Sequence, residues 1–282
     1  MKFLLGTVIL ALVGACAPSQ PLAIQRERPQ QQQIEPVKLQ PAAAFPPPAA
    51  PTLEASVPPR VTTAEIAGIT FEGVEFDSRS AFLKVADQSG GPGSQFLDAA
   101  AAGRELGGIT AINAGFFTPE GAPLGLVVSG GKTSGSWNSA SSLGNGVWAL
   151  DSNGASSITR RETIGRAAAG RMRELIQAGP LLVENGRAVS SLEATKTSAR
   201  IAILWNGGSK WWIGRASPCT LAAFSRALTT GNPAGWKVQQ ALNLDGGRSA
   251  DLWISSEIPG GPLTRRPPWN RPVRNFLILK KL

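Results

Sequence analysis

The sequence predicts an α+β fold: one strand-rich domain with a mixed sheet and about three helices. Three observations predict it. Short apolar runs, several alternating with polar residues, recur from Ile69 to Leu279. Turn sequences separate them, among them Gly90-Gly91-Pro92-Gly93, Asn185-Gly186 and Asn206-Gly207-Gly208. Few stretches carry helical spacing, and no internal repeat is visible.

Residues 1–15 read as a signal peptide: one Lys, an apolar run from Phe3 to Val13, then small residues before Cys16. The run is too short to span a bilayer. Val13-Gly14-Ala15-Cys16 resembles a bacterial lipobox, in which Cys16 is lipidated and becomes the first mature residue. A plain secretory signal cut near Ala17 is the alternative. Ala17 after the cysteine suits outer-membrane sorting, so the expected location is periplasmic, lipid-anchored to the outer membrane of a Gram-negative envelope. Residues 16–60 read as a Pro/Gln/Ala-rich disordered tether, because proline fixes φ and few side chains there can build a core. Residues 61–282 then read as one globular domain.

Within that domain, Ile69–Phe76 and Ala81–Val85 alternate and read as a hairpin closed by Asp77-Ser78-Arg79-Ser80. Ser94–Leu106 is Ala-rich and predicts a helix leading into a strand at Ile109. Leu124–Val128 predicts a strand turned by Ser129-Gly130-Gly131-Lys132. Residues 133–146, with Trp137 among Ser, Gly and Asn, read as a long loop, surface or functional. Gly146–Leu150 predicts a strand. Gly165–Ala178 predicts a helix with Met172, Leu175 and Ile176 on one side. Leu181–Val183 before Asn185-Gly186, and Ile201–Trp205 with Trp211–Gly214, read as hairpins. Ser217-Pro218 predicts a helix start, with Leu221, Phe224 and Leu228 on its apolar side. After the strand at Ala241 comes a Pro/Gly-rich tail, 258–271, and a closing strand at Phe276–Leu279.

Composition narrows the chemistry. There is no His and no Tyr, which removes imidazole bases, His-based triads and His-ligated metals. Of the two cysteines, Cys219 reads as a small buried hydrophobe in the first turn of a helix. Carboxylates, Lys, Arg and water remain as acid–base groups. The net charge is +9. A basic envelope protein is drawn to anionic lipid, phosphorylated glycans or wall polymers, although basic residues also serve plain solubility. No nucleic-acid motif is present. Most of the eight tryptophans read as core.

Two stretches share one grammar. Ala241-Leu242-Asn243-Leu244-Asp245-Gly246-Gly247-Arg248-Ser249 runs from a buried strand into a tight glycine turn. Ile109–Gly121 runs from apolar residues through Asn113-Ala114-Gly115 to Phe116-Phe117 and a Pro/Gly turn. Each alone suits a hairpin corner with a self-capping side chain. Together they suit two strand ends converging on one cleft, with Asp245 at the mouth of the core.

These motifs resemble those of the phosphodiester glycosidase family. Asn113-Ala114-Gly115-Phe116-Phe117 is similar to its Asn-Gly-Gly-Phe-Phe motif, and Asn243–Ser249 to its Asn-Leu-Asp-Gly-Gly-Gly-Ser motif. Gln177-Ala178-Gly179-Pro180 looks like its Gln-x-Gly-Pro segment, Ser198–Ala202 like Arg-Thr-Ala-Ile, and Arg271–Leu277 like its closing segment. The resemblance covers roughly residues 65–282. Ala114 and Arg248 stand where many members have Gly.

The resemblance implies hydrolysis of a sugar-1-phosphodiester at its glycosidic bond, on a phosphorylated glycan or anionic envelope polymer. Asp245 is the candidate catalytic carboxylate, with Glu120 and Asp251 behind it. Arg200 is the first candidate for the phosphate cradle, with Lys132 and Arg248 weaker ones. Asn113 and Asn243 would orient substrate hydroxyls. Gly115, Gly246 and Gly247 would supply N–H groups and close approach, and Ser249 a donor to phosphate. Phe116 would pack beneath the site or in the core. No cofactor is required by the sequence; oxygen ligands here could also take a divalent cation. The competing readings are a non-catalytic envelope lipoprotein that binds anionic glycans on the same scaffold, and an assembly factor in which the motifs are structural.

Overall fold

The computed structural model describes residues 56–282. The expected signal peptide, Cys16 and nearly all of the expected tether lie outside the described residues. Strands and helices are numbered in chain order. The first sheet orders Arg60–Ile66 (β1), Ile69–Asp77 (β2), Lys210–Cys219 (β13), Ser198–Trp205 (β12), Gln240–Asn243 (β14), Leu181–Glu184 (β10) and Arg187–Ala188 (β11). The second orders Leu263–Arg265 (β16), Leu252–Ile254 (β15), Thr110–Asn113 (β4), Asn275–Lys281 (β17) and Ala81–Asp87 (β3). The third orders Lys132–Ser134 (β6), Val127–Ser129 (β5), Glu174–Ala178 (β9), Gly146–Leu150 (β7) and Ser156–Arg160 (β8). The helices are Ala99–Glu105 (α1), Arg161–Ala169 (α2) and Leu221–Thr230 (α3).

The strand-rich α+β class stands, with three helices. The expected mixed sheet resolves into three sheets in which every pairing among the described residues is antiparallel.

One apolar core lies between the sheets, and one helix covers the outer face of each. Period-two side-chain alternation makes this possible. On β12, Ile201 and Ile203 enter the shared core, while Ala202 and Leu204 meet Phe224 and Leu228 of α3. On β17, Leu277 and Leu279 enter the core, while Phe276 and Ile278 meet Ala99 and Ala102 of α1. On β7, Trp148 and Leu150 enter it, while Val147 and Ala149 pack with Ala169 of α2. Burial on both faces explains why these strands read as continuous apolar runs.

Four expectations change. The strands at Ile69 and Ala81 form, but they are not a hairpin: β2 pairs with β1 and β13, and β3 with β17. Asp77 ends β2 by accepting from the Arg79 amide at 2.8 Å, which turns the chain into the second sheet. The helix expected over 165–178 is two elements. Helix α2 stops at Ala169, and Glu174–Ala178 is a strand buried at all five positions between β5 and β7. The helix expected at Ser217-Pro218 starts after Thr220, whose side chain accepts from the Ala223 amide. Cys219 therefore closes β13 instead of opening the helix, although it is buried as expected. Strand β1 begins at Arg60, which pairs with Glu75, so residue 60 lies in a strand and not in the tether expected over residues 16–60.

Candidate active site

Strand β4 is buried at all four positions and delivers Asn113 at its end. Strand β14, in a different sheet, delivers Asn243 and then Asp245. The two ends are bonded together. The Asp245 amide donates to the Ala114 carbonyl at 2.9 Å, and Asn113 Nδ2 donates to the Asp245 carbonyl at 2.6 Å. Asn113 Oδ1 accepts from the Asp251 amide at 2.9 Å, so one buried amide ties both ends of the 245–251 turn.

Two further strand ends join. Asn243 donates from Nδ2 to the Gly179 carbonyl at 2.9 Å, and its amide donates to the Pro180 carbonyl at 3.1 Å. Asn275 Oδ1, at the start of β17, accepts from the Gly115 amide at 2.7 Å. Asn243 Oδ1 and Asn275 Nδ2 are buried without a partner among the described residues. Each such atom costs about 1–3 kcal/mol.

The glycines have distinct steric reasons. A Cβ on Gly246 would stand 2.4 Å from the Ala199 carbonyl oxygen. Gly247 has φ +60°, the left-handed region that disfavours a side chain. The turn they permit leaves Asp245 half-buried. Burial pushes its pKa up to about 6, against the Ser249 hydroxyl, the Arg271 charge and the Gly246 N–H, which favour the carboxylate. Ser249 is buried, and Arg271 Nε donates to its oxygen at 3.4 Å. The Arg271 guanidinium lies 4.7 Å from the centre of the Phe117 ring, a cation–π contact.

The phosphodiester glycosidase family model matches residues 107–280, more than half of the chain. The chain belongs to the phosphodiester glycosidase family. A search of curated proteins finds no match. Among solved structures, the catalytic domain of zebrafish N-acetylglucosamine-1-phosphodiester alpha-N-acetylglucosaminidase, auto-inhibited by its pro-peptide, is similar at TM-score 0.55 and 16% identity. The likeness covers 79% of this chain and 82% of that one. A hypothetical protein from Synechocystis gives TM-score 0.49 at 18% identity, over 78% of this chain and 61% of its own. A putative exported protein from Burkholderia pseudomallei gives 0.49 at 14% identity, over 75% and 74%.

The phosphodiester glycosidase motifs do not all meet. Asn113, Gly115, Asn243, Asp245, Gly246, Gly247 and Ser249 share the junction. Arg200 lies elsewhere: its Nε donates to the Cys219 carbonyl at 2.9 Å and its Nη2 to the Lys196 carbonyl at 2.8 Å. Strand parity is the reason, since Arg200 shares a face with Ala202 and Leu204, toward α3. Lys132 is exposed in the β5–β6 hairpin beside Arg173, at the opposite end of β9 from Gly179. Arg248 is exposed and, among the described residues, donates only to the Trp269 carbonyl, at 3.3 Å. Phe116 packs against the core, while Phe117 takes the place beneath a cation. Glu120 is exposed in its turn, and Asp251 accepts from the Ala99 amide at the start of α1. Among the described residues, no group of three or more Asp, Glu, Cys or His side chains gathers to hold a metal.

Sequence reading overlooked Arg271. It stood in the quoted closing segment, three residues before Arg274. The two are told apart only by packing: Arg274 is buried and pairs with Asp87 at 2.8 Å, leaving Arg271 for the site.

Proposed function

We propose that this domain hydrolyses the glycosidic bond of a sugar-1-phosphodiester carried by a phosphorylated glycan or envelope polymer. Family membership and the name of the zebrafish relative support that reaction class. The observation that carries it here is Asp245: a part-buried carboxylate with a pKa near 6, linked through Ser249 to the exposed cation Arg271. In this reading the Arg271 fork takes the phosphate oxygens. The bond from the anomeric carbon to the phosphate oxygen breaks, and the phosphate leaves with the electron pair as a phosphomonoester. Its charge is met by Arg271 and the turn's N–H groups. Water adds to the anomeric carbon, and its proton passes to Asp245, which is ionised above about pH 6. The sugar leaves with a free anomeric hydroxyl.

The test is turnover of a chromogenic sugar-1-phosphodiester. Asp245→Asn is expected to lower kcat by about 100-fold or more. Arg271→Ala is expected to cost about 100-fold, and Arg200→Ala far less. Glycan binding by the parent with no turnover would favour the non-catalytic lipoprotein. The same proposal places the domain in the periplasm, on an outer-membrane lipid anchor at Cys16. Labelled palmitate should enter the parent and not Cys16→Ser.

A further inference from the structure

A concavity of about 510 Å³ borders the turn that carries Asp245. Four arginines line it, Arg215, Arg248, Arg265 and Arg266, with no carboxylate among its lining residues. Two of them are committed to acids behind the wall. Arg265 Nε donates to both oxygens of Glu72 at 2.8 Å, and Arg266 Nη1 donates to Asp98 at 2.9 Å. The other two are not. Arg215 is part-buried, its Nε has no hydrogen-bond partner among the described residues, and its nearest carboxylate is Glu72 at 3.9 Å. Glu72 is already held by Arg265. Burial presses the Arg215 guanidinium toward its neutral form, and the Arg265 charge adds to that against the pull of Glu72. Among the described residues Arg248 reaches only a backbone carbonyl. Trp269, 64% exposed, supplies an open aromatic face beside them.

The position gives this charge a use. Gly247 and Arg248 line the pocket and belong to the turn that presents Asp245. Two residues of chain reach at most about 7 Å, so Asp245 stands within that distance of the Gly247 edge of the pocket. A glycan cleaved at Asp245 whose leaving group continues past the turn meets the arginines next. We infer that the pocket formed by Arg215 and Arg248 is an anion subsite: it binds a second phosphate on the leaving-group side of the substrate chain. This rests on the hydrolase reading for the substrate, and on Arg215 and Arg248 alone for the anion.

The test compares two sugar-1-phosphodiesters, one with an uncharged alkyl leaving alcohol and one whose alkyl chain ends in a phosphomonoester. The parent is expected to show a KM about tenfold lower for the second, from a charge-assisted Arg–phosphate contact. Arg215→Gln and Thr197→Glu are each expected to bring the two KM values together. Thr197 is exposed at the pocket lip, so that variant adds a repelling charge without disturbing the core. Calorimetric titration with tripolyphosphate separates the two readings. The parent and Asp245→Asn should bind alike, while both pocket variants bind about tenfold more weakly. Hydrolysis of both diesters with equal KM, and tripolyphosphate binding untouched by the variants, would overturn the subsite and leave the hydrolase. Pocket-dependent tripolyphosphate binding with no hydrolysis would retain the anion site and remove the hydrolase.

Discussion

Asp245 costs the fold something for its position. Its carboxyl titrates near 3.8 when freely solvated and near 6 in the folded domain, because burial disfavours the charge. The folded state therefore holds the proton more tightly. Stability falls as pH rises from about 4 to about 6, and the full cost applies at pH 7. Asp245→Asn should accordingly stabilise the domain by about 1–2 kcal/mol at pH 7, with solvent at the mouth moderating the figure. At pH 4 the gain should vanish. Urea unfolding at the two pH values checks this; an equal gain at both would remove ionisation as the cause. The same group should set the acid limb of kcat/KM near pH 6. Asp251 is also pushed up to about 6, but its carboxylate serves the Ala99 amide. Asp251→Asn should leave that limb in place. The placement of Asp245 in a strand-end turn was legible because an Asp followed by two glycines is chemically conspicuous. The arginine that stands beside it was not. Arg200 and Arg271 both stand near family motifs, and only the face of β12 and the stack on Phe117 separate them.

At the scale of elements, the site is a junction held by side-chain amides. Asn113→Ala would strip partners from the Asp251 amide and the Asp245 carbonyl at once. A loss of about 2–4 kcal/mol is expected, read by denaturant unfolding, with turnover falling further than folding accounts for. Gln177 plays the same part for the loop over residues 136–145. Its Oε1 accepts from the Leu126 and Asn138 amides, and its Nε2 donates to the Asn138 and Gly144 carbonyls. Gln177→Ala should raise amide exchange across 136–145 while leaving β17 protected. The loop expected over residues 133–146 is shorter than that, since β6 runs to Ser134, Ser142–Gly144 form a 3-10 turn and Gly146 opens β7, and its anchor was hidden. Gln177 fell inside a stretch whose Met172, Leu175 and Ile176 spacing mimics a helix. All five residues of β9 are buried, because the strand is flanked by β5 and β7 and packed on both faces. A run so short cannot declare its period, and tertiary placement decides it. The hairpins at Asn185-Gly186 and Asn206-Gly207-Gly208 were readable, since their turn chemistry is local.

For the whole molecule, the junction draws on residues far apart in sequence: 113–117, 179–180, 243–251 and 271–275. The bonds that join these segments to one another are all long-range, so the site exists only once the sheets have closed on their common core. Strand β17 is the last to arrive and sits inside its sheet, between β4 and β3. Leu277 faces Ile112 on one side and Val85 on the other. Phe276, Leu277, Ile278 and Leu279 are each 0% exposed. At about 1.5–3 kcal/mol per buried side chain they contribute about 6–12 kcal/mol, comparable to the whole stability of an ordinary domain. Truncation after Arg274 should therefore abolish cooperative unfolding and the near-ultraviolet signal of the buried tryptophans. Leu277→Ala, costing about 2–5 kcal/mol, should keep one cooperative transition at lower denaturant. If the truncated chain still unfolds in a single sharp transition, the second sheet can close without this interior strand. Asp245 would then owe its placement to β14 and β4 alone, and Gly115 would hold its position without Asn275.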